Sequence, residues 1–220
     1  MKKTLLALAA VLATTTVMAQ TTDTLKKIKD TGTVTMGVRE SSGALSFTLG
    51  DGKYVGYHVE ICQNVLADVQ KQLGLAKLDV KYQPVTSQNR IPLVQNGTVD
   101  IECGSTTNNA ARQKDVSFAV TTFVEEVRIA VKADSGITSI AQLNGKKVAT
   151  TTGTTSVQTL RKNERATGVN FDEVFGKDHA DSFLLLESGR ADAFVMDGAI
   201  LAGNIAKANN PADFKLVGEV

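Results

Sequence analysis

The stretch KVATTTGTTSVQTLRKNER at residues 147–165 decides the fold. Its first five residues, Lys147 to Thr151, form a β-branched run typical of a buried strand, and residues 157–165 have the apolar spacing of an amphipathic helix. The turn Gly153-Thr154-Thr155-Ser156 opens that helix directly after the strand. A strand that leads into a helix in this way is the repeating unit of a mostly parallel, doubly wound sheet.

The same unit recurs on both sides of this stretch. Further along the chain we predict a strand at 171–174, a helix at 181–188 and a strand at 191–196. Towards the N-terminus we predict helices at 23–29, 55–72 and 89–95, strands at 33–38, 78–82 and 99–103, and a hairpin turn at 51–52. A long strand at 123–131 separates the two sets. We therefore expect an α/β protein of two doubly wound lobes joined by hinge strands, with a first lobe at 20–123, a second at 124–213 and a return hinge strand beginning at 214–220.

Residues 1–19 have the pattern of a secretory signal peptide. Lys2 and Lys3 precede a short apolar run, and the small residues Val17 and Ala19 stand where a cleavage site requires them. A buried N-terminal helix is the alternative interpretation. Gln20 follows the predicted cut where a lipid anchor would need a cysteine, so we expect a periplasmic chain without an anchor.

Composition excludes some classes of function. The net charge is +1, Trp is absent and no basic run occurs, which argues against a nucleic-acid partner. The two cysteines fit no metal motif. Cys62 falls in a helical pattern and Cys103 at the end of a strand pattern, so we interpret both as small buried apolar residues, with a disulfide as the alternative that export would permit.

Charged residues stand at the ends of predicted strands or at loop tips, where open sheets gather their ligands. Arg39, Arg90 and Arg112 would suit a ligand with two carboxylates, because guanidinium groups bind carboxylates in a planar, bidentate fashion. A solvated surface charge is the alternative for each. The helix start at Thr154 and Thr155 predicts either an anion site or a side-chain cap.

Two further residues could complete such a site. Asp197 follows an apolar strand and could hold an ammonium group or cap the next helix. His179 lies in a predicted loop and could donate to a carboxylate, and Asp178 beside it would favour the charged imidazolium. No nucleophile with its base, no paired carboxylates and no metal ligands stand out, so we expect no catalysis, cofactor or metal.

Five blocks of sequence carry a resemblance to a known family. They are GVRESS at 37–42, TSQNRIP at 86–92, ECGSTTNN at 102–109, KDH at 177–179 and LESGR at 186–190. They resemble the polar amino-acid branch of the solute-binding proteins of ABC uptake systems, and within it the glutamate/aspartate-binding group. The resemblance implies a type II periplasmic-binding-protein fold, a monomer, and delivery of L-glutamate or L-aspartate to a permease in the inner membrane.

The resemblance also implies a role for each ligand residue. Arg112 would grip the α-carboxylate of the ligand with the help of Thr107 and Thr155. Asp197 and Ser105 would hold the α-ammonium. The side-chain carboxylate would be surrounded by Arg39, Ser87, Arg90 and His179.

Other interpretations remain. The same fold serves exported dehydratases that act on carboxylated substrates, and it also serves ligand-binding sensor modules. Members of the resembled family run on past the second lobe, so we expect that the C-terminal part of the first lobe is missing from this sequence, which ends at Val220.

Overall fold

The computed structural model describes residues 23–220. The predicted signal peptide and the first residues of the predicted first lobe lie outside that range. In chain order the elements are α1 (Thr24–Thr31), β1 (Thr33–Val38), β2 (Ser41–Ser42), β3 (Ser46–Gly50), β4 (Lys53–Val55), α2 (Tyr57–Gln72), β5 (Asp79–Pro84), α3 (Arg90–Gln95), β6 (Ile101–Glu102), β7 (Val127–Lys132), β8 (Lys147–Thr151), α4 (Thr155–Thr167), β9 (Asp172–Gly176), α5 (His179–Glu187), β10 (Ala193–Asp197), α6 (Gly198–Ile205) and β11 (Phe214–Glu219).

The elements from α1 to β6 and the loop that follows β6, here called the first lobe, contain a parallel sheet in the order β5-β1-β6. The central strand β1 pairs in parallel with both neighbours and buries Val34, Met36 and Val38 completely. Helix α2 packs its apolar face, including Val59 and Leu66, against this strand. The three buried side chains of β1 are two residues apart and so point to one face of the sheet, which explains the alternation of apolar residues with Thr33 and Thr35 along β1.

A small antiparallel sheet, β2-β3-β4, extends from the first lobe. Its hairpin turns at Asp51 and Gly52, whose φ angles are 50° and 71°. Two successive positive φ angles are typical of the tight turn that joins antiparallel strands, so the predicted turn is confirmed.

The elements from β7 to β11, here called the second lobe, form a five-stranded sheet in the order β11-β7-β10-β8-β9. Strands β8, β9 and β10 run parallel, whereas β7 pairs antiparallel with both β10 and β11. One apolar cluster lies on each face, built around Phe194 on one side and Val195 on the other. The alternation of these neighbouring residues follows from the two-residue period of a strand.

Two predicted strands are shorter than expected. The strand predicted at 123–131 begins only at Val127, and the one predicted at 99–103 contains only Ile101 and Glu102. Val124 is 85 % exposed, so this apolar residue is not buried in a sheet.

The helices of residues 23–220 include none that is long and apolar enough to cross a membrane.

The prediction of two unpaired cysteines was wrong. Cys62 on α2 and Cys103 just after β6 form a disulfide, with their Cα atoms 6.3 Å apart. They meet because α2 packs on β1, and β6 is the direct neighbour of β1 in the sheet. The bond therefore ties α2 to the loop that begins at Gly104.

Candidate functional site

A narrow cavity lies between the two lobes, at the carboxyl ends of their strands. Seven of the nine residues predicted to bind the ligand line it, whereas Arg39 and Arg112 are not among the lining residues that the structure describes. The lining residues are Ser87, Arg90, Ser105, Thr107, Thr154, Thr155, His179, Met196, Asp197 and Ile200.

Arg90 is the most deeply buried charge of this cavity. It begins α3 and is only 3 % exposed, yet its Nε and Nη1 atoms have no hydrogen-bond partner among residues 23–220. Burial lowers the pKa of Arg90 to about 9, although the nearby Glu102 carboxylate acts in the opposite direction. The hydroxyl of Ser87, in the preceding turn, is also buried without a described partner.

His179 differs from its prediction in place and in charge. It is the first residue of α5 rather than part of a loop, and its Nδ1 is hydrogen-bonded to the Thr151 hydroxyl at 3.0 Å. Its Nε2 is buried and has no partner within the described chain. Burial, reinforced by Arg39 and Arg90, lowers the pKa of His179 well below 6.5. The expectation that Asp178 favours an imidazolium was therefore wrong.

Asp197 supplies a carboxylate on the opposite wall. It ends β10 and occupies the N-cap position of α6, and its Oδ1 accepts a 3.4 Å hydrogen bond from Ser156 Oγ. None of the described side-chain contacts makes it a helix cap. Burial and the charge of Glu125 raise its pKa. Asp197 is the carboxylate among the described residues that line the cavity.

The start of α4 is open to the same space. Thr154 holds the N-cap position, but its hydroxyl donates to the carbonyl of Thr151 at 2.8 Å. No side chain of residues 23–220 caps α4, so the predicted alternative of a capping threonine is not found at Thr154. The Thr155 hydroxyl instead meets that of Thr107 at 3.2 Å across the cleft.

Arg112 joins the lobes beside the cavity. Its Nη1 donates to the Thr107 carbonyl at 3.0 Å in the first lobe, and its Nη2 donates to the Gly153 carbonyl at 3.2 Å in the second. Burial lowers the pKa of this guanidinium.

Arg39 lies behind the cavity and is fully buried at the end of β1. Its guanidinium forms an ion pair with Asp178 of the second lobe and donates to the Ser105 hydroxyl at 3.3 Å. Ser105 lines the cavity, so Arg39 can act on a ligand through Ser105 as well as through its own charge.

The unpartnered atoms indicate what the cleft can bind. Among the described residues, six buried side-chain nitrogen and oxygen atoms have no hydrogen-bond partner, and they belong to Arg39, Ser87, Arg90, Glu102 and His179. Buried polar groups are costly unless they are paired, so such a gathering marks a functional site. Glu102 lies outside the described lining, where Arg90 and several hydroxyls are accompanied by the Asp197 carboxylate. This set is the complement of a small zwitterion that carries carboxylates.

A comparison with protein families agrees with this geometry. The model for bacterial extracellular solute-binding proteins, family 3, matches residues 34–184. The chain belongs to that family. The match covers β1, the cleft loops and most of α5, and so includes most of the cavity.

Individual members of family 3 are similar over nearly the whole chain. An L-glutamate/L-aspartate-binding protein of Pseudomonas aeruginosa is 48 % identical over 212 residues, which are 96 % of this chain and 70 % of that protein. A glutamate/aspartate import solute-binding protein of Escherichia coli strain K12 is 46 % identical over 196 residues, 89 % of this chain and 65 % of that protein. The chain thus spans about two thirds of the length of these curated relatives.

Solved structures confirm the type II periplasmic-binding-protein fold. An ancestral arginine-binding protein bound to glutamine is 30 % identical, with a TM-score of 0.73 over 86 % of this chain and 79 % of that protein. A holo arginine-binding protein of T. maritima is 26 % identical, with a TM-score of 0.75 over 89 % of this chain and 80 % of that protein.

Sequence reasoning missed several residues of this family 3 site. Thr154 was considered as part of a helix start that binds an anion or as a cap but was not among the predicted ligand residues, and the apolar wall of Met196 and Ile200 was not considered at all. Glu102 was missed as well, although it begins the ECGSTTNN block, and an acidic residue just before the polar loop could have indicated its place near the site. Asp178 was predicted to favour the charged form of His179, although its side-chain partners are Arg39 and Ser41 of the first lobe.

Proposed function

We propose that this chain is a periplasmic receptor that captures glutamate or aspartate and delivers it to an ABC permease in the inner membrane. The observation that carries the proposal is the buried set of unpartnered groups at the cavity: Arg90 Nε and Nη1, Ser87 Oγ and His179 Nε2. A second carboxylate on the ligand would satisfy them, and a neutral side chain would leave the charge of Arg90 unpaired.

In this proposal the ligand lies between Arg90 and Asp197. The side-chain carboxylate accepts from Ser87, Arg90 and His179, and Arg39 adds charge from behind Ser105. The α-carboxylate is held by Arg112, Thr107 and Thr155, where the uncapped start of α4 adds backbone donors.

The α-ammonium of the ligand donates to Asp197 and Ser105. The raised pKa of Asp197 supports this role, because a buried carboxylate without a cation beside it holds its proton more tightly. A bound ammonium would reverse that effect. Binding should therefore keep Asp197 ionised.

Capture depends on contacts that exist only when the lobes meet. Arg112 already bridges Thr107 and Gly153 across the cleft, and the Thr107 and Thr155 hydroxyls meet there too. A ligand that adds contacts to both lobes shifts the population towards the closed form, which a permease can distinguish from the open one.

Export and transport follow from the sequence and from the named relatives. Residues 1–19 have the pattern of a cleavable signal peptide, which would place the mature chain in the periplasm. We propose that it acts there as a monomer. The curated relatives are named as binding and import proteins, which supports release of the ligand unchanged rather than its conversion. A dehydratase would consume its substrate, so recovery of unaltered ligand after long incubation separates the two functions.

Thermal unfolding with added amino acids tests the proposal. Millimolar glutamate and aspartate should each raise the midpoint, because a ligand that binds only the folded state adds RT ln(1 + [L]/Kd) to its stability. Glutamine and arginine, at the same concentration, are the controls for charge. Equal shifts by all four amino acids, or no shift by any, would contradict the proposal.

A further inference from the structure

A second set of contacts joins the lobes beside the cavity, through residues that do not line it. Residues 41–47 of the first lobe, here called the docking arm, lie against α5 and α6 of the second. Ser41 Oγ donates to Asp178 Oδ2 at 2.8 Å, and the other oxygen of Asp178 forms the ion pair with Arg39. The docking arm and Asp178 are absent from the described lining of the cavity.

The side chain of Asp178 bonds to the opposite lobe and does not cap its own helix. It occupies the N-cap position of α5, yet its side chain makes no capping bond with any residue described. The backbone N–H of Ala180 donates instead to Ser41 Oγ, at 3.0 Å. The first turn of α5 is therefore capped by a residue of the first lobe, and this exchange requires the lobes to be together.

Helix α6 and the residues directly after it contact the other side of the docking arm. Asn204 Nδ2 donates to the Ser41 carbonyl at 3.2 Å, and Lys207 Nζ stands 4.2 Å from the centre of the Phe47 ring. Gly203 lies against Gly43 so closely that a Cβ atom at Gly203 would collide with the Gly43 backbone. A hydrogen bond, a cation–π contact and close backbone packing thus act together.

We infer that Asp178 is a positioning residue that clamps Arg39 and Ser41, so that the docking arm sets how often the lobes close and hence how tightly the receptor binds. Its effect on affinity rests on the proposed acidic ligand, whereas its effect on closure does not. The apparent Kd equals the intrinsic Kd divided by the closed fraction, so a residue that never touches the ligand can control it.

The test uses Asp178→Asn and Gly203→Ala in the full chain. The first removes the charge of the inter-lobe pair, and the second blocks the approach of α6 to the docking arm at a helical position where alanine is favourable. Asp181→Asn is the matched control, because Asp181 is an exposed acidic residue in the same first turn of α5.

Closure is measured without ligand as the distance between spin labels at Gln72→Cys and Lys162→Cys. Both sites are exposed, one on α2 and one on α4, and the two native cysteines are bonded to each other. Affinity is measured by calorimetric titration with glutamate and with aspartate. Unfolding midpoints show that each variant is folded.

Both variants should shift the label distances towards an open population and raise the Kd about tenfold, which corresponds to a free-energy change of about 1.4 kcal/mol. Asp181→Asn should change neither. Weaker binding with unchanged distances would overturn the inference, because Asp178 would then act on the ligand through its charge alone. Unchanged distances and unchanged affinity would overturn it as well. If the wild type binds neither amino acid, the proposed function fails while the distances still decide the role of the docking arm.

Discussion

Replacement of Arg90 by methionine should make the protein more stable and abolish its response to acidic ligands. Arg90 is 3 % exposed, forms no ion pair within residues 23–220, and keeps two of its nitrogen atoms without partners. Methionine fills a similar volume without a charge. The same side chain that costs folding energy is therefore the one that the ligand requires.

The magnitude follows from the pKa of Arg90. A decrease of the pKa of Arg90 from 12.5 to about 9 means that folding disfavours the charged guanidinium by roughly 5 kcal/mol, since each pKa unit corresponds to about 1.4 kcal/mol. Methionine also loses the packing and the favourable field of Glu102 that Arg90 has, so we expect a net gain of about 1 to 3 kcal/mol in the free energy of unfolding.

Urea denaturation with and without glutamate measures both effects. The wild type should gain about 2.7 kcal/mol at a ligand concentration one hundred times the Kd, and Arg90→Met should gain nothing. Arg165→Met, at an exposed arginine in α4, is the control and should keep the ligand response. An Arg90→Met protein that is less stable than the wild type and still stabilised by glutamate would refute the reasoning.

Three further predictions concern pH, the disulfide and the inter-lobe contact. The pKa of His179 in the folded state lies below its value of 6.5 in the unfolded chain, so the unfolded state binds more protons at acidic pH. The free energy of unfolding should therefore fall as the pH drops below 6.5, by at most about 1.4 kcal/mol per pH unit for this residue. His179→Gln should reduce that slope in denaturation curves measured from pH 7 to 5, and an unchanged slope would count against a neutral, buried His179. Cys62→Ala with Cys103→Ala opens a link across 41 residues and should cost about 4 kcal/mol of stability by the chain-entropy relation, whereas a loss below 1 kcal/mol would show that the bond restrains little. Gly153→Ala should weaken glutamate binding at least tenfold in calorimetry, because the new Cβ would lie 2.8 Å from Gln88 Cα across the cleft. Gly168→Ala is the control and should leave the Kd unchanged, because Gly168 also has a positive φ but has open space around it. Equal effects of the two substitutions on the Kd would show that backbone strain, and not the contact across the cleft, weakens binding.

Local patterns predicted the elements of the fold well. The β-branched runs at β1 and β8 and the amphipathic spacing of α2 depend on burial along one element, which is a property of neighbouring residues. Strand ends are also local features, and together with the resemblance to the solute-binding family they led to nine predicted ligand residues, of which seven line the cavity.

What the sequence did not reveal depends on distant contacts. Cys62 and Cys103 meet only because α2 packs beside β6. Asp178 and Arg39 form their ion pair although 139 positions separate them in the sequence. The proton affinity of His179 is governed by burial and by Arg39 and Arg90 rather than by its neighbour in sequence. Only the assembled lobes bring these groups together.

The central claim is that two carboxylates on the ligand are required, and calorimetric titration of glutamate against glutamine tests it most directly. The two ligands have nearly the same size, so the comparison isolates the charge that Arg90 and its neighbours would bind. We expect one site per chain and a Kd for glutamate at least about thirty times lower than for glutamine, since leaving a buried charge unpaired costs about 2 to 5 kcal/mol. Equal affinities for the two amino acids would contradict it.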